Sequence, residues 1–334
     1  MRVTAGKSLL RSFAMLACLA PAALVLSDGS GARAAEAYPA KPVRIVIGAL
    51  PGSNTDYFFR TIATAMGNTL GQPLIGDYRA GGGGLVGAAA TAKAAPDGYT
   101  ISLVGSGFVM HPALMKNLPY DPLRDFTAVG LIVESTQALV IHPALPVKNL
   151  KDLVALARQR PGQLNYGSSG PGTNTHLSGV LFNLLAGVNI VHVPYKSTPP
   201  MLVDVMAGQI ELSYPGIASV TEHARSGRLR LLAQTGARRS ASAPDVPTMQ
   251  ESGLPGYNVT TGFGFMGPAG LSRPIVERLN AAMVQAVRLP ATVKSFLDNG
   301  VDGVASTPEE YDAFNRAEIA RWIKVARDGG IKPE

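Results

Sequence analysis

Four glycine-rich turns carry small hydroxyl side chains and stand where a strand pattern gives way to a helix pattern. They are residues 48–56 (GALPGSNTD), 79–84 (RAGGGG), 105–108 (GSGF) and 167–176 (GSSGPGTNTH). Glycine lets backbone N–H groups approach a ligand closely, a helix N-terminus attracts an anion, and hydroxyls add hydrogen-bond donors without adding charge. The chemistry that these turns favour is therefore the binding of a carboxylate.

The same residue types also serve ordinary helix capping, which is the commoner role of any single turn of this kind. Ser53 with Asp56, for example, fits a capping box. Because turns of this composition occur in both halves of the chain, we expect them to face each other across a cleft.

The sequence lacks the patterns of the common catalytic and cofactor sites. Residues 82–87 and 262–267 match G-x-G-x-x-G, but the first lacks a suitably placed acid for a ribose and the second precedes no convincing helix. There is no G-x-S-x-G elbow, and the five histidines lack metal-ligand spacing. We therefore expect no cofactor, no metal and no catalytic residues. An exported α/β hydrolase remains a remote alternative, because catalytic groups also assemble from distant segments.

The elements that must position the turns alternate between strands and helices. Residues 43–104 read β-α-β-α-β, a similar alternation runs through 139–234, and the C-terminal part is mostly helical. This order predicts an α/β protein with parallel strands covered by helices, whose ligands bind at the carboxyl ends of the strands. With 46% hydrophobic and 16% charged residues, the chain can bury a substantial core.

The N-terminus predicts export. Residues 1–34 combine a basic start, an apolar stretch and an A-x-A site, as in a signal peptide cleaved near Ala34. The apolar run is shorter than the roughly 20 residues of a membrane span. Cleavage lowers the formal net charge from +7 to +4 and removes Cys18, the one cysteine, so thiol chemistry and disulfides are excluded. Mild positive charge without a basic, aromatic-interleaved stripe favours an anionic solute over nucleic acid.

Eight short segments of the mature chain are weak family signatures when taken singly, but their order and spacing together are highly specific. They are residues 38–46 (YPAKPVRIV), 95–100 (APDGYT), 111–114 (HPAL), 118–122 (LPYDP), 170–177 (GPGTNTHL), 191–196 (VHVPYK), 243–248 (APDVPT) and 253–256 (GLPG). Together they resemble the Bug family, the periplasmic solute-binding proteins of tripartite tricarboxylate transporters, over nearly all of the mature chain.

The resemblance implies a two-lobed periplasmic-binding-protein (Venus flytrap) fold, each lobe a mainly parallel sheet covered by helices. The expected bounds are 35–135 for the first part of lobe 1, 136–258 for lobe 2, and 259–334 for the return to lobe 1 and the C-terminal helices. It also implies a periplasmic monomer that captures a small carboxylate and delivers it to the membrane permease subunits of a tripartite tricarboxylate-type transporter. A ligand-presenting component for a two-component sensor kinase remains an alternative.

The sequence departs from the family pattern in two places that bear on the ligand. Residues 51–54 (PGSN) replace a usual pair of glycines, and residues 212–215 (LSYP) lack an acid that is common there. The missing acid disfavours ligands with an ammonium group. Phe108 and Tyr214 make an aromatic or otherwise apolar carboxylate, or a dicarboxylic acid, a reasonable candidate, with core packing as the alternative for both side chains.

The resemblance places ligand contacts in the turn after the first strand, in the turn at 105–108, in the turn at 168–173 and in the segment at 196–198. With Tyr214 added, the expected ligand-binding residues are Pro51, Gly52, Ser53, Asn54, Asp56, Ser106, Gly107, Phe108, Ser168, Ser169, Gly170, Thr173, Lys196, Ser197 and Tyr214.

Overall fold

A computed structural model describes residues 38–333, so the predicted signal peptide and its cleavage site near Ala34 lie outside the described residues. The strands are β1 Val43–Ile47, β2 Leu74–Tyr78, β3 Thr100–Val104, β4 Phe126–Thr136, β5 Ala138–Ile141, β6 Asn165–Ser168, β7 Val191–Pro194, β8 Leu212–Ser213, β9 Arg230–Gln234, β10 Thr260–Pro268 and β11 Val301–Gly303. The helices are α1 Asn54–Leu70, α2 Leu85–Ala92, α3 Ser106–Leu114, α4 Leu150–Gln159, α5 Asn174–Ala186, α6 Thr198–Met206, α7 Thr221–Arg225, α8 Arg273–Val287, α9 Pro290–Asp298 and α10 Pro308–Asp328.

The first sheet has six strands in the order β11-β4-β10-β3-β1-β2. Strand β1 lies between β2 and β3 and is parallel to both, as the β-α-β-α-β pattern predicts. Helix α1 buries Phe58, Ile62 and Met66 in the same apolar cluster as Ile45 of β1. This burial holds the N-terminus of α1 at the carboxyl end of β1.

The second sheet has five strands in the order β7-β6-β8-β5-β9. Strand β6 is parallel to β7 and β8, whereas β5 is antiparallel to β8 and β9. The prediction of two helix-covered α/β sheets is confirmed, and each sheet is mixed. In the first sheet the antiparallel strands include β4 and β10, which carry the chain out and back and so must run in opposite directions.

The chain passes between the sheets twice. It leaves the first sheet at Gln137, the single residue between β4 and β5, and re-enters it at Thr260. Thr235, the residue after β9, links the two crossings, since the Gln137 N–H donates to Thr235 Oγ1 (2.9 Å) and the Val259 N–H donates to the Thr235 carbonyl (2.8 Å). We refer below to the first sheet with its helices as lobe 1 and to the second as lobe 2.

Helix α10 is a third connection. It packs on α3 and β4 of lobe 1 and on α5 of lobe 2. Its Trp322 is buried in an apolar cluster that also contains Phe108 of lobe 1 and Leu177 of lobe 2. A capping box is present at its start, with Thr307 and Glu310 each accepting from the other's backbone N–H.

Candidate functional site

The carboxyl ends of β1 and β3 open into a cavity of about 190 Å³ in lobe 1. Its lining includes the glycine-rich turns, which pack backbone against backbone. A Cβ on Gly107 would lie 2.2 Å from the Gly83 carbonyl oxygen, and a Cβ on Gly48 would lie 2.7 Å from the Gly84 Cα. Only glycine permits this approach, and it keeps the N–H groups of the turns within reach of a ligand.

Four helices begin in or next to the expected ligand contacts, and their first N–H groups are capped differently. Ser53 caps α1 and Thr173 caps α5 with their own hydroxyls. Within the described chain, no side chain caps α3 at Gly105 or α6 at Ser197. The first N–H groups of α3 and α6 are therefore the ones best placed to hold an anion.

The first turn is held in place by Asp56. This carboxylate is buried and accepts hydrogen bonds from the Gly52 N–H (2.7 Å), Tyr78 Oη (2.6 Å) and Arg60 Nε (2.8 Å). Burial alone would raise the pKa of Asp56, but these bonds outweigh it and hold the pKa below its usual range. Because all three hydrogen-bond partners of this carboxylate belong to lobe 1, Asp56 holds the turn in place. The exposed residues that the turn presents are Leu50, Pro51, Gly52 and Asn54.

The corresponding turn of lobe 2 is also built from its own hydroxyls. Ser168 is buried, and its Oγ lies 2.6 Å from His192 Nε2 and accepts from the Gly170 N–H (3.1 Å). The hydroxyl of Thr173 donates to the Gly170 carbonyl (2.6 Å). The half-buried Ser169 donates its N–H to Thr175 Oγ1 (2.8 Å). Of this turn, Thr173 is also part of a cavity shared with lobe 1.

Two larger cavities join the lobes on either side of these turns. One, of about 770 Å³, places Gly52, Ser53 and Asn54 of lobe 1 opposite Thr198 and Gly216 of lobe 2. The crossing residue Gln137 contributes to its wall.

The other, of about 720 Å³, places Ser106 and Gly107 of lobe 1 opposite Gly172, Thr173 and Asn174 of lobe 2. Three of the turns picked out in the sequence, at 79–84, 105–108 and 167–176, therefore line one cavity, and the first turn lines the other. We refer to the two cavities together as the groove.

Two expected contacts lie in the core instead. The Phe108 ring is buried, stacked 6.0 Å from Tyr120 and edge-on to Phe126 at 4.9 Å between ring centroids. Tyr214 has no exposed surface and packs near Tyr166. Tyr214 lines none of the cavities described above, and its burial argues against a role in favouring an aromatic ligand. Phe108 also belongs to the lining of the 190 Å³ cavity, so its contact with a ligand stays a prediction.

The segment expected at 196–198 meets the cleft at its last residue. Lys196 and Ser197 are exposed, and neither is among the residues that line the two large cavities. Thr198, the first residue of α6, lines the cleft. The exposed Lys196 side chain thus lies outside the ligand-facing surface that Thr198 forms.

Histidines lie beneath the turns and are held neutral. The His176 ring stacks on His192 at 4.0 Å, and its Nδ1 accepts from the Gly172 N–H (3.1 Å). Burial, with His192 as a lesser cause, lowers the pKa of His176 to about 4. In lobe 1, burial lowers the pKa of His111, whose Nδ1 is 3.0 Å from Tyr120 Oη. A carboxylate in the groove would therefore meet neutral donors rather than imidazolium.

Residues of the groove that sequence reasoning did not name as contacts include His111, Asn174 and Thr261. The Asn174 amide donates to Thr261 Oγ1 and so ties α5 of lobe 2 to β10 of lobe 1. Its amide oxygen is buried and has no hydrogen-bond partner in the described part of the chain. The position of Asn174 at the start of α5 was the available signal, since a helix start at a groove exposes polar groups to a ligand.

The comparisons with known proteins agree on one family. Residues 58–331 match the family model described as "Tripartite tricarboxylate transporter family receptor". The Bordetella pertussis protein BugT is 36% identical over 300 residues, which cover 89% of this chain and 92% of BugT.

Two solved structures have the same architecture. An R. palustris protein solved with adipate is 34% identical with a TM-score of 0.73, and the match covers 89% of this chain and 100% of that one. MatC from Rhodopseudomonas palustris, with bound malate, is 31% identical with a TM-score of 0.69 and covers 86% of this chain and 99% of MatC.

These matches bear on the predicted class. The matched proteins are solute-binding receptors rather than enzymes, which confirms the prediction of a non-enzymatic binding protein. None of the helices in residues 38–333 combines the length and hydrophobicity that crossing a bilayer requires. The family match and the two-lobed α/β architecture lead to one conclusion: this chain belongs to the Bug family of tripartite tricarboxylate transporter receptors.

Proposed function

We propose that this protein captures a small carboxylate in the periplasm and delivers it to the membrane permease subunits of a tripartite tricarboxylate-type transporter. The observation that carries the proposal is the shared groove, in which Ser106 and Gly107 of lobe 1 face Thr173 and Asn174 of lobe 2. The adipate and malate held by two relatives support a carboxylate as the ligand.

Within this proposal, the residues divide into contacts and supports. Contacts come from the uncapped start of α3, from the exposed first turn and from the lobe 2 turn, to which we add Asn174 and Thr198. Of the proposed contacts, those that line the two large cavities are Gly52, Ser53, Asn54, Ser106, Gly107, Thr173, Asn174 and Thr198. Pro51, Ser169 and Gly170 are added because they are accessible neighbours in the same turns. Asp56 and Ser168 hold the turns in place through their hydrogen bonds.

The two chain crossings between the lobes act as the hinge by which the protein captures its ligand. The lobes rotate about Gln137 and the Thr235–Val259 contact, the carboxylate docks on helix N-termini, and closure presents a new surface to the permease. A ligand that touches both lobes stabilises the closed form because only that form makes both sets of contacts.

The first test is a thermal-shift and calorimetric screen of the mature protein against malate, adipate and other mono-, di- and tricarboxylates. Ligand at about 100 times its Kd should add about 2.7 kcal/mol of stability. If no carboxylate raises the melting temperature, the proposal fails.

The second test replaces Thr173 by Ala, with Thr173→Ser as the matched control. The Ala variant loses the hydroxyl that caps α5 and fixes the Gly170 carbonyl, and affinity should fall about tenfold, the worth of one hydrogen bond of about 1.4 kcal/mol. The Ser variant should bind within about threefold of the wild type. Equal affinities for the wild type and Thr173→Ala would exclude this turn from the site.

A further inference from the structure

The 720 Å³ cavity continues beyond the anion-binding turns into a chamber whose far wall is apolar. It shares Gly83, Ser106 and Gly107 with the 190 Å³ cavity, so the two are adjacent at the start of α3. Beyond that point the lining passes along α3 to Met110, Leu114 and Met115 and ends at Ile331 and Lys332. The volume falls within the range of about 300–1,000 Å³ that small-molecule sites occupy.

Leu114 brings the apolar wall into contact with the lobe 2 turn. A Cβ on Gly172 would lie 3.0 Å from Leu114 Cδ1, so the leucine closes the chamber against lobe 2. Met110 is buried, whereas Met115 is half-buried. Methionine side chains adapt to irregular shapes, which suits a wall that receives ligands of varying length.

The charges of the chamber are confined to one end. His111 and His176 both line it, and burial keeps both rings neutral at neutral pH. Among the lining residues, Lys332 alone carries a formal charge, and it is exposed at the outer end. A carboxylate at Ser106 and Gly107 would therefore face the neutral polar groups of Thr173 and Asn174 across the chamber, and the methionine and leucine carbons of α3 would lie beyond them.

The opposite flank of the groove has a different lining. The 770 Å³ cavity includes the Asp298 carboxylate together with the hydroxyls of Ser135 and Thr261 and the amide of Asn299. Aromatic rings such as Phe263 also line this cavity. An apolar ligand chain placed there would nevertheless bury the polar groups without giving them hydrogen-bond partners. The chamber along α3 offers apolar contact at a smaller desolvation cost.

We infer that this chamber receives the apolar body of the bound carboxylate, and that Met110, Leu114 and Met115 select acids with a chain of several methylene groups over compact hydroxylated acids. The inference rests on the proposed function, because it assumes that a carboxylate is held at the turns. It names the ligand class for that site: amphipathic acids whose charged end meets the helix N-termini and whose hydrocarbon end runs along α3.

The test is isothermal calorimetry of the mature protein with propanoate, hexanoate and octanoate. Each added methylene should tighten binding about fourfold until the chamber is filled, since one buried methylene is worth about that factor. Met115→Trp fills the chamber, so hexanoate and octanoate should bind at least tenfold more weakly while propanoate stays within twofold.

The matched control is Ser219→Trp, which places the same bulk on the opposite flank at an exposed position and should leave the chain-length dependence unchanged. If Met115→Trp does not fold, Met115→Ala replaces it. That variant removes atoms from a half-buried side chain and should shift the preferred chain to a longer one.

The outcomes separate the two claims. A flat affinity across the alkanoates while malate or adipate binds the wild type would overturn the chamber and leave the proposed function standing. Loss of chain-length dependence in Ser219→Trp but not in Met115→Trp would also overturn it and place the chain on the other flank. If no acid binds at all, the proposed function fails and the inference fails with it.

Discussion

Replacing Asp56 by Asn removes the charge that holds the first ligand-facing turn. In the folded protein this carboxylate accepts from the Gly52 N–H, Tyr78 Oη and Arg60 Nε. The Arg60 side chain is 64% exposed, so solvent screens its ion pair and its contribution is small. The amide can accept through its single oxygen and turn its NH2 toward Tyr78, whose hydroxyl can also accept.

The net loss is therefore about one hydrogen bond to a buried charge, which is worth about 1.5–3 kcal/mol. With an unfolding entropy of about 2.1 cal/mol/K per residue over about 300 residues, that corresponds to a melting temperature lowered by about 2–5 °C. The matched control is Asp77→Asn, because Asp77 lies on the surface of the same lobe and pairs with Arg79. The control should melt within about 2 °C of the wild type, since exposed ion pairs contribute little.

The pH dependence gives a sharper test. The folded-state pKa of Asp56 lies below the unfolded value of 3.8, so the ionised carboxylate stabilises the protein above that value. This stabilisation is lost as the pH falls through the lowered folded-state pKa. The melting gap between wild type and Asp56→Asn should be constant from about pH 7 to 5 and close below pH 3.8. A gap within about 1 °C at pH 7, or one that persists undiminished at the lowest pH, would refute the role given to Asp56.

Two further predictions concern the turns. Gly107→Ala should destabilise the protein by about 1–3 kcal/mol and abolish carboxylate binding, because the added Cβ would meet the Gly83 carbonyl. The control Gly216→Ala, which has no atom within 4 Å of its added Cβ, should have a stability within about 0.5 kcal/mol of the wild type. Equal stabilities of the two variants would contradict the packing of the turns. Between pH 6.5 and about 4 the unfolded chain gains a proton on His176 that the folded protein does not, so the wild type loses stability as the pH falls. His176→Asn keeps an acceptor for the Gly172 N–H but does not titrate, so this loss of stability with pH should become shallower. An unchanged slope in melts recorded across this pH range would assign the loss to other groups.

The site could be located from the sequence because α/β geometry fixes where its turns must lie. Once residues 43–104 are read as β-α-β-α-β, the turns after β1 and β3 must meet at one edge of the sheet. Helix starts were predicted from local chemistry, and the hydroxyls of Ser53 and Thr307 cap α1 and α10 as that chemistry requires. Both kinds of prediction depend on residues close together in sequence.

What could not be predicted depends on distant packing. The composition of the turn at 105–108 does not say whether Phe108 faces the ligand or the core, because that choice is made by Tyr120 and Phe126. Helix α3 itself gave no periodic signal, since residues 108–111 and Ala113 are all buried and a helix covered on most sides has no apolar stripe. Strand β4 is buried along most of its length and shows no alternation for the same reason.

The absence of charge in the lining of the 190 Å³ cavity also explains why two lobes are needed. Among the described residues that line the 190 Å³ cavity, none carries a formal charge. Neutral N–H and hydroxyl donors attract a carboxylate weakly in water and more strongly as the local dielectric falls. One lobe alone therefore offers little affinity, and binding becomes favourable only when the second lobe excludes water. A substitution that stiffens the crossing at Gln137 or Thr235 should then weaken binding as much as one in the turns, although neither residue needs to touch the ligand's carboxylate.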